Sequence, residues 1–566
     1  MALTNQIYLY SLETKDFYTD EEFELNEKYF ENLRLRKEIN SKKTSLELLI
    51  EDFTEKSYEN ELTQEEINQI EEYGAELIQL TEKFELLGIE IKNQKEQLNL
   101  KINEFNGIRK LREDSFKTNK IVGLFESSLT RICKLKNEEV TDKLFIIRVF
   151  HYKILESIIH NGFMYGNYKY KYFTSSAGQI RTKKIVCINE DLYNEHANTI
   201  TCGLSIEDIN NKGGLNTNKY QAYLALSNSA SEVWKRFNID RMIVVDDIET
   251  KVISEVDHID EKTFEITRKV MDIPIEHMDG CGIMLPSVAK KSRMIRMPWV
   301  KGLVVPFDFK KFIIENNASP IIKDIYGKEW NVIEDNINVI LTKSQFKLWK
   351  FYDSWEDYKD KFKSYECEAC AFNIEDIGTK ASINYQMLQT LTSMTEDELK
   401  TIAQDTIEDI HNLGTDKKTM LRVLGAVKEN KKLNYYQKSL LLYPELLSDS
   451  HSREVIKSKK RSLVRDGRAG KLRVNGYYTF IIPDLYAFCE WLFLGEEKPK
   501  GLLNNKEVYC DIFDEGKVDV LRAPHLYKEH ALRNNIKNDE LKKWFITKGI
   551  YTSVHDPISK ILQFDK

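Results

Sequence analysis

The residues of this chain best suited to chemistry are cations, and they fall in two groups. Between Val455 and Arg473, eight cations (Lys457, Lys459, Lys460, Arg461, Arg465, Arg468, Lys471 and Arg473) stand against Asp466 alone. A solvated helix face usually alternates sign, so an excess this lopsided points to contact with a phosphate backbone. The second group is Lys290, Lys291, Arg293, Arg296 and Lys301, set among Gly, Pro and Ser residues able to form the tight turns of a phosphate-cradling loop. The net charge of −7 gives no global case for a polyanionic ligand, so such a site has to be a local basic groove. Of the eight cysteines, only Cys367 and Cys370 form a C-x-x-C. Zinc needs four ligands and no second pair follows at ligand spacing, so ordinary reduced thiols are expected.

The elements that must position these groups alternate in texture. The first ~120 residues read as helix. Thr19-x-x-Glu22 and Thr63-x-x-Glu66 are capping boxes opening long charged stretches. After the second, a heptad seam runs through Ile70, Tyr73, Leu77, Leu80, Phe84, Leu87, Ile91, Gln94, Leu98, Lys101 and Phe105. A weaker seam, Leu25, Ile39, Leu46, Ile50 and Phe53, precedes it, and a break near 55–62 predicts an antiparallel hairpin. From about Leu144 to Trp349 short β-rich runs appear, such as Met242–Val245 and Lys301–Val305. Residues 383–460 are helical again, with a capping box at Thr395-x-x-Glu398, and strands return from Lys471. No signal peptide and no membrane-length apolar run is present, which makes a cytoplasmic protein the expectation.

Several motifs carry a family resemblance. Val520-Leu521-Arg522-Ala523-Pro524-His525-Leu526 resembles a run in the large catalytic subunit of cellular RNA polymerases and in RNA-silencing polymerases. In both families a stretch of strand follows, and then a triple-aspartate metal motif. Here Ile550–Phe564 leads to Asp565-Lys566, 43 residues after Arg522. Upstream, Asp279-Gly280-Cys281-Gly282, Arg296-Met297-Pro298-Trp299-Val300-Lys301-Gly302, Ser344-Gln345-Phe346-Lys347 and Ser175–Arg181 look like successive motifs of the silencing-type enzymes. Asn218–Leu226 and Pro524–His530 look like runs of phage single-chain polymerases of the same superfamily.

The resemblance, over residues 145–566, implies an α+β protein. Its expected parts are a coiled-coil arm (1–125), a helical linker (126–171), a first double-psi β-barrel (172–350), a helical connector (351–469) and an incomplete second barrel (470–566). It implies template-directed RNA synthesis from nucleoside triphosphates, of phage or prophage origin in a bacterial host, on a DNA or an RNA template. Asp565 would be the first Mg²⁺ carboxylate, Lys301 and Lys347 would face the developing phosphate charge, and Arg296 and Arg522 would contact substrate. Lys457, Lys459, Lys460, Arg461, Arg465 and Arg468 would hold nucleic acid. One aspartate cannot organise two metals, so the chain is expected to be an inactive piece of a longer enzyme. Plainer readings stand beside these: Lys301 as an edge-strand gatekeeper, Lys347 as a surface lysine, Arg522 as a turn arginine. Two other classes also remain, a nucleic-acid-binding pseudo-polymerase and a coiled-coil assembly protein joined to itself or a partner through the arm.

Overall fold

The computed structural model describes residues 5–59, 62–376, 380–389, 391–428, 430, 433–522, 530–558 and 560. The fold is mixed α and β, with an N-terminal helical hairpin and several sheets. It divides into two compact units, one of residues 5–197 with 215–229 and one of 198–214 with 230–566.

In the N-terminal unit, helices α1 (Asp20–Glu59) and α2 (Gln64–Glu104) form the hairpin. Both capping boxes are made: the Thr19 and Thr63 hydroxyls accept from the Glu22 and Glu66 N–H groups, and each glutamate accepts from its threonine's N–H. Leu87, Ile91 and Leu98 of the seam are buried, as are Ile39 and Leu46 opposite, and Phe53 meets Tyr73. The seam leaves its predicted line at the base, where Ile102 is buried in place of Lys101 and Lys101 pairs with Glu21.

The helical expectation for the first 125 residues is corrected at both ends. Gln6–Glu13 is strand β1, and β2 (Arg109–Lys110) and β3 (Ile121–Phe125) follow the hairpin. The linker expected at 126–171 is corrected too. It supplies β4 (Val140–Arg148), β5 (Phe163–Tyr165) and the start of β6 (Tyr168–Thr174), which join β7 (Lys184–Asn189) in one sheet. Its order is β2-β5-β6-β7-β4-β1-β3. Leu144-Phe145-Ile146-Ile147 is a short apolar run, and such a run reads as either helix or strand. Pairing with β1 and β7 decides it, and Phe145 and Ile147 enter a core shared with Leu98 and Ile102 of α2.

The second unit holds two larger sheets. The first comprises β8 (Glu232–Val233), β9 (Met242–Val245), β12 (Cys281–Met284), β13 (Arg293–Met297), β14 (Val300–Pro306), β17 (Val339–Thr342) and β18 (Cys370–Phe372). Its order, β8-β18-β13-β14-β12-β17-β9, mixes parallel and antiparallel pairs. It therefore runs from residue 232 to 372 rather than 172 to 350, and the expected connector lends it β18. A ribbon of β10 (Glu249–Ile259) and β11 (Ile266–Glu276) and a small pair, β15 (Ile321–Lys323) with β16 (Glu329–Asn331), interrupt it. Helices follow, among them Glu396–Asn412 and Ser450–Arg468. The last sheet, in the order β19-β23-β20-β22-β21, is built from β19 (Ile481–Pro483), β20 (Glu507–Tyr509), β21 (Gly516–Val520), β22 (Ala531–Asn535) and β23 (Ile550–Thr552).

Candidate active site

Arg296 and Lys301 stand directly opposite each other on the antiparallel pair β13–β14. Arg293, Arg296 and Lys301 thus lie on a strand hairpin rather than in a loop, while Lys290 and Lys291 fall in the turns before it. Pro298 and Trp299 make the turn, with Trp299 at φ +62, a conformation usually left to glycine. Tertiary contacts hold it there: the buried indole N–H donates to the Thr201 carbonyl at 2.7 Å, and the Tyr358 hydroxyl donates to the Pro298 carbonyl at 2.8 Å. β14 lies between β13 and β12, so Lys301 is on an interior strand and the edge-gatekeeper reading fails.

Two further motifs close on this hairpin. The Ser344 hydroxyl accepts from the Gly280 N–H at 2.7 Å and donates to Asp247 at 2.6 Å, while the Ser344 N–H donates to the other Asp247 oxygen at 2.8 Å. The buried Gln345 amide donates to the Leu303 carbonyl at 2.9 Å and accepts from the Thr342 N–H at 3.0 Å. The Lys347 N–H then donates to the Trp299 carbonyl at 2.8 Å. Gly302 lies under this knot: a Cβ there would sit 2.3 Å from the Gln345 amide nitrogen and 2.5 Å from the Gly280 carbonyl oxygen. Three motifs spread over residues 279–347 are thereby brought to one place. Asp247 and Gln345 do much of the joining, and sequence reasoning missed both roles; the one signal available was the acidic pair Asp246-Asp247 at the end of a strand.

The result is a concentration of positive charge. Burial pushes the Lys301 ammonium down from its ordinary value, the charges of Lys347 and Arg296 push it further, and Asp279 opposes them. Burial alone takes Arg296 to about 10. Its guanidinium lies over the Phe372 ring at 4.3 Å, and its Nε is buried without a hydrogen-bond partner. Lys347 is half-buried, which corrects the surface-lysine reading. Three cations gathered this closely suit an anion carrying more than one charge.

Within the same unit a cavity of about 1280 Å³ is lined by residues of both larger sheets and their surroundings, among them His277, Asp279, Cys281, Lys517, Arg522 and His530. Arg522 is among the residues lining the cavity, whereas Lys301 and Lys347 are not and adjoin it through Asp279. Asp565 and residues 523–529, which hold most of the Arg-Ala-Pro run, lie outside the described residues. Ser175–Arg181 and Asn218–Leu226 belong to the N-terminal unit, where Ser176 caps the helix Ala177–Arg181.

The helix Ser450–Arg468 carries the other cation group. Lys457, Lys459, Arg461, Arg465 and Arg468 are exposed, while Ile456 is buried with Leu413, Leu440 and Leu447. Lys460 turns inward to donate to the Leu413 carbonyl just after the helix Glu396–Asn412. Arg473 is structural: it pairs with Asp409, which also binds Arg422. Lys457, Arg461, Arg465 and Arg468, at steps of four, four and three, form one stripe.

Among the described residues no group of three His, Cys, Asp or Glu side chains is gathered that could hold a metal ion. Among those residues, no helix is long and apolar enough to cross a membrane. No protein-family model matches the chain. Over 565 residues it is 49% identical to a protein named DNA-directed RNA polymerase YonO, from Bacillus phage SPbeta. That alignment takes in 100% of this chain and 63% of the relative, so the chain spans less than two thirds of the relative's length.

Proposed function

We propose that this chain carries much of the body of a single-chain RNA polymerase that builds RNA on a DNA template, with its two larger sheets belonging to double-psi β-barrels. The observation that carries the reading is the convergence of Asp279–Gly282, Lys301-Gly302 and Ser344–Lys347 on one cationic patch through Ser344 and Gln345. Three motifs that are individually weak gain force by meeting. The DNA template is favoured by the name of the phage relative.

Nucleotidyl transfer moves negative charge from the α-phosphate to the departing pyrophosphate. In this reading Lys301 and Lys347 neutralise that charge as fixed cations, most effectively where water is scarce. Arg296 buttresses them from the neighbouring strand, and Arg522 directs its rigid fork at the nucleotide sugar. The exposed stripe of the helix Ser450–Arg468 tracks a nucleic-acid backbone. Asp565 would help to hold a catalytic metal ion, whose positive charge would stabilise the phosphates.

The test is RNA synthesis by a protein of the relative's full length on matched single-stranded DNA and RNA templates. DNA-templated product is expected, with Asp565→Ala abolishing it and Lys301→Ala and Lys347→Ala each slowing it about 10²-fold or more. Template binding without synthesis by the full-length protein would sink the reading in favour of a pseudo-polymerase.

A further inference from the structure

We infer that His530 is a positioning residue for Arg522: it joins the end of β21, which leads directly to Arg522, to the start of β22, and ties both to the short helix Tyr385–Gln389.

β21 and β22 pair with Val520 opposite Ala531, and Arg522, two residues beyond β21, is among the residues lining the cavity. His530 stands immediately before β22. Its Nδ1 lies 2.6 Å from the Asp519 carboxylate on β21, so the imidazole bridges the two strands where the connection leaves the sheet. Its Nε2 lies 3.2 Å from the carbonyl of Met387, in the short helix Tyr385–Gln389. Met387, Asp519, Arg522 and His530 all line the same cavity.

A carboxylate and a carbonyl both accept, and the two ring nitrogens meet one each. The ring joins three parts at one point: the end of β21 that leads to Arg522, the start of β22, and a helix from the middle of the chain. No other common side chain has two diverging ring nitrogens on so short and rigid a frame. His530 itself need not touch substrate; its effect runs through where Arg522 is held.

The structural half is tested on the 566-residue chain by limited trypsin digestion, following cleavage after Arg522. His530→Ala and Asp519→Ala should be cut there roughly threefold faster than wild type or more, with thermal midpoints little changed. Asp519→Asn keeps an accepting oxygen, so it should fall between, and it serves if His530→Ala does not fold. Equal cleavage of wild type, His530→Ala and Asp519→Asn would overturn the clasp.

The functional half rests on the polymerase reading. It is read in the full-length protein as KM for nucleotide and as preference for ribo- over deoxyribonucleotide. His530→Ala should raise KM and weaken the preference by roughly tenfold, with a smaller change in kcat. The double variant His530→Ala, Arg522→Ala should discriminate no worse than Arg522→Ala alone. Multiplying effects would show that His530 does not act through Arg522. A full-length wild type that makes no RNA fails the polymerase reading and leaves the digestion to decide the clasp.

Discussion

The helical arm and the lysine-bearing sheet are held together in opposite ways. α1 and α2 meet along a repeating seam in which each apolar residue does a small, similar share of the work, and many are only half-buried. The sheet around Lys301 depends on a few contacts made once each: Gln345 across Gly280 and Leu303, Ser344 on Asp247, Trp299 on Thr201. The two regions also differ in charge. From Asp20 to Glu59 twelve acids meet seven bases, and from Gln64 to Glu104 ten meet four, so the two helices carry −11 and the remainder +4 of the net −7. The net figure that argued against a polyanionic ligand is therefore a sum over unlike parts: the positive remainder lies in the rest of the N-terminal unit, and the unit bearing the candidate site is close to neutral, so its cations are a local concentration. Repetition tolerates local damage; a knot of single contacts holds side chains precisely enough for chemistry and tolerates little.

The sharpest way to break this contrast is at the base of the arm, where the seam joins the core. Leu98→Asp places a charge beside Ile102, Phe145 and Phe163 and should cost about 4 kcal/mol or more, while Leu77→Asp, at a half-buried position, should cost under half as much. Chemical denaturation followed at 222 nm reads both, and equal losses would mean that the seam is as tightly packed at the tip as at the base.

Glycine substitutions come next. Gly302→Ala drives a methyl into the Gly280 carbonyl and should cost about 3 kcal/mol. Gly74→Ala in α2 meets nothing within 4 Å and should stabilise the arm by about 0.5–1 kcal/mol. Thermal unfolding with separate probes for the two units gives both signs; a stabilising Gly302→Ala would contradict the knot.

Acid offers a third separation. Burial, with a smaller push from His555, takes His277 down from its ordinary value to about 4. It is neutral in the fold, and the unfolded chain binds the extra proton first. The second unit should therefore lose stability as pH falls from about 6.5 toward 4, by at most ~3 kcal/mol. His277→Gln should show a shallower loss over that window than wild type; identical curves would mean that His277 titrates normally in the fold.

The smallest effect on stability belongs to the exposed stripe. Lys457→Ala or Arg461→Ala should change stability by less than about 0.5 kcal/mol. Each should lower the salt dependence of single-stranded DNA binding by about 0.7 of a charge. An unaltered slope would move the nucleic-acid contact elsewhere.

The same contrast explains what could be read in advance. The hairpin, its caps and much of its seam were legible because a repeat states its own geometry many times over. The strands between 126 and 171 were not: Leu144–Ile147 has no period of its own, and its partners β1 and β7 lie far away in sequence. The motifs holding Lys301 and Lys347 could be picked out one by one, but their approach to each other could not, because it depends on Gln345 reaching Leu303 across 42 residues. Arg473, grouped with the nucleic-acid cations by sequence, turned inward because Asp409 on another helix claims it.

The β10–β11 ribbon leaves the chain after Asp247 and returns just before His277, with Glu249 paired to Glu276. Residues so paired lie about 5 Å apart, a distance that a tight turn of two residues also spans. Whatever occupies the outer length of the ribbon, the chain re-enters at the same point. That makes it a natural port: a fluorophore, an affinity tag or a whole foreign domain spliced in near Lys262, or a ribbon trimmed to a short hairpin, would leave Asp247 and Asp279 where they stand and give experimenters a handle close to the site.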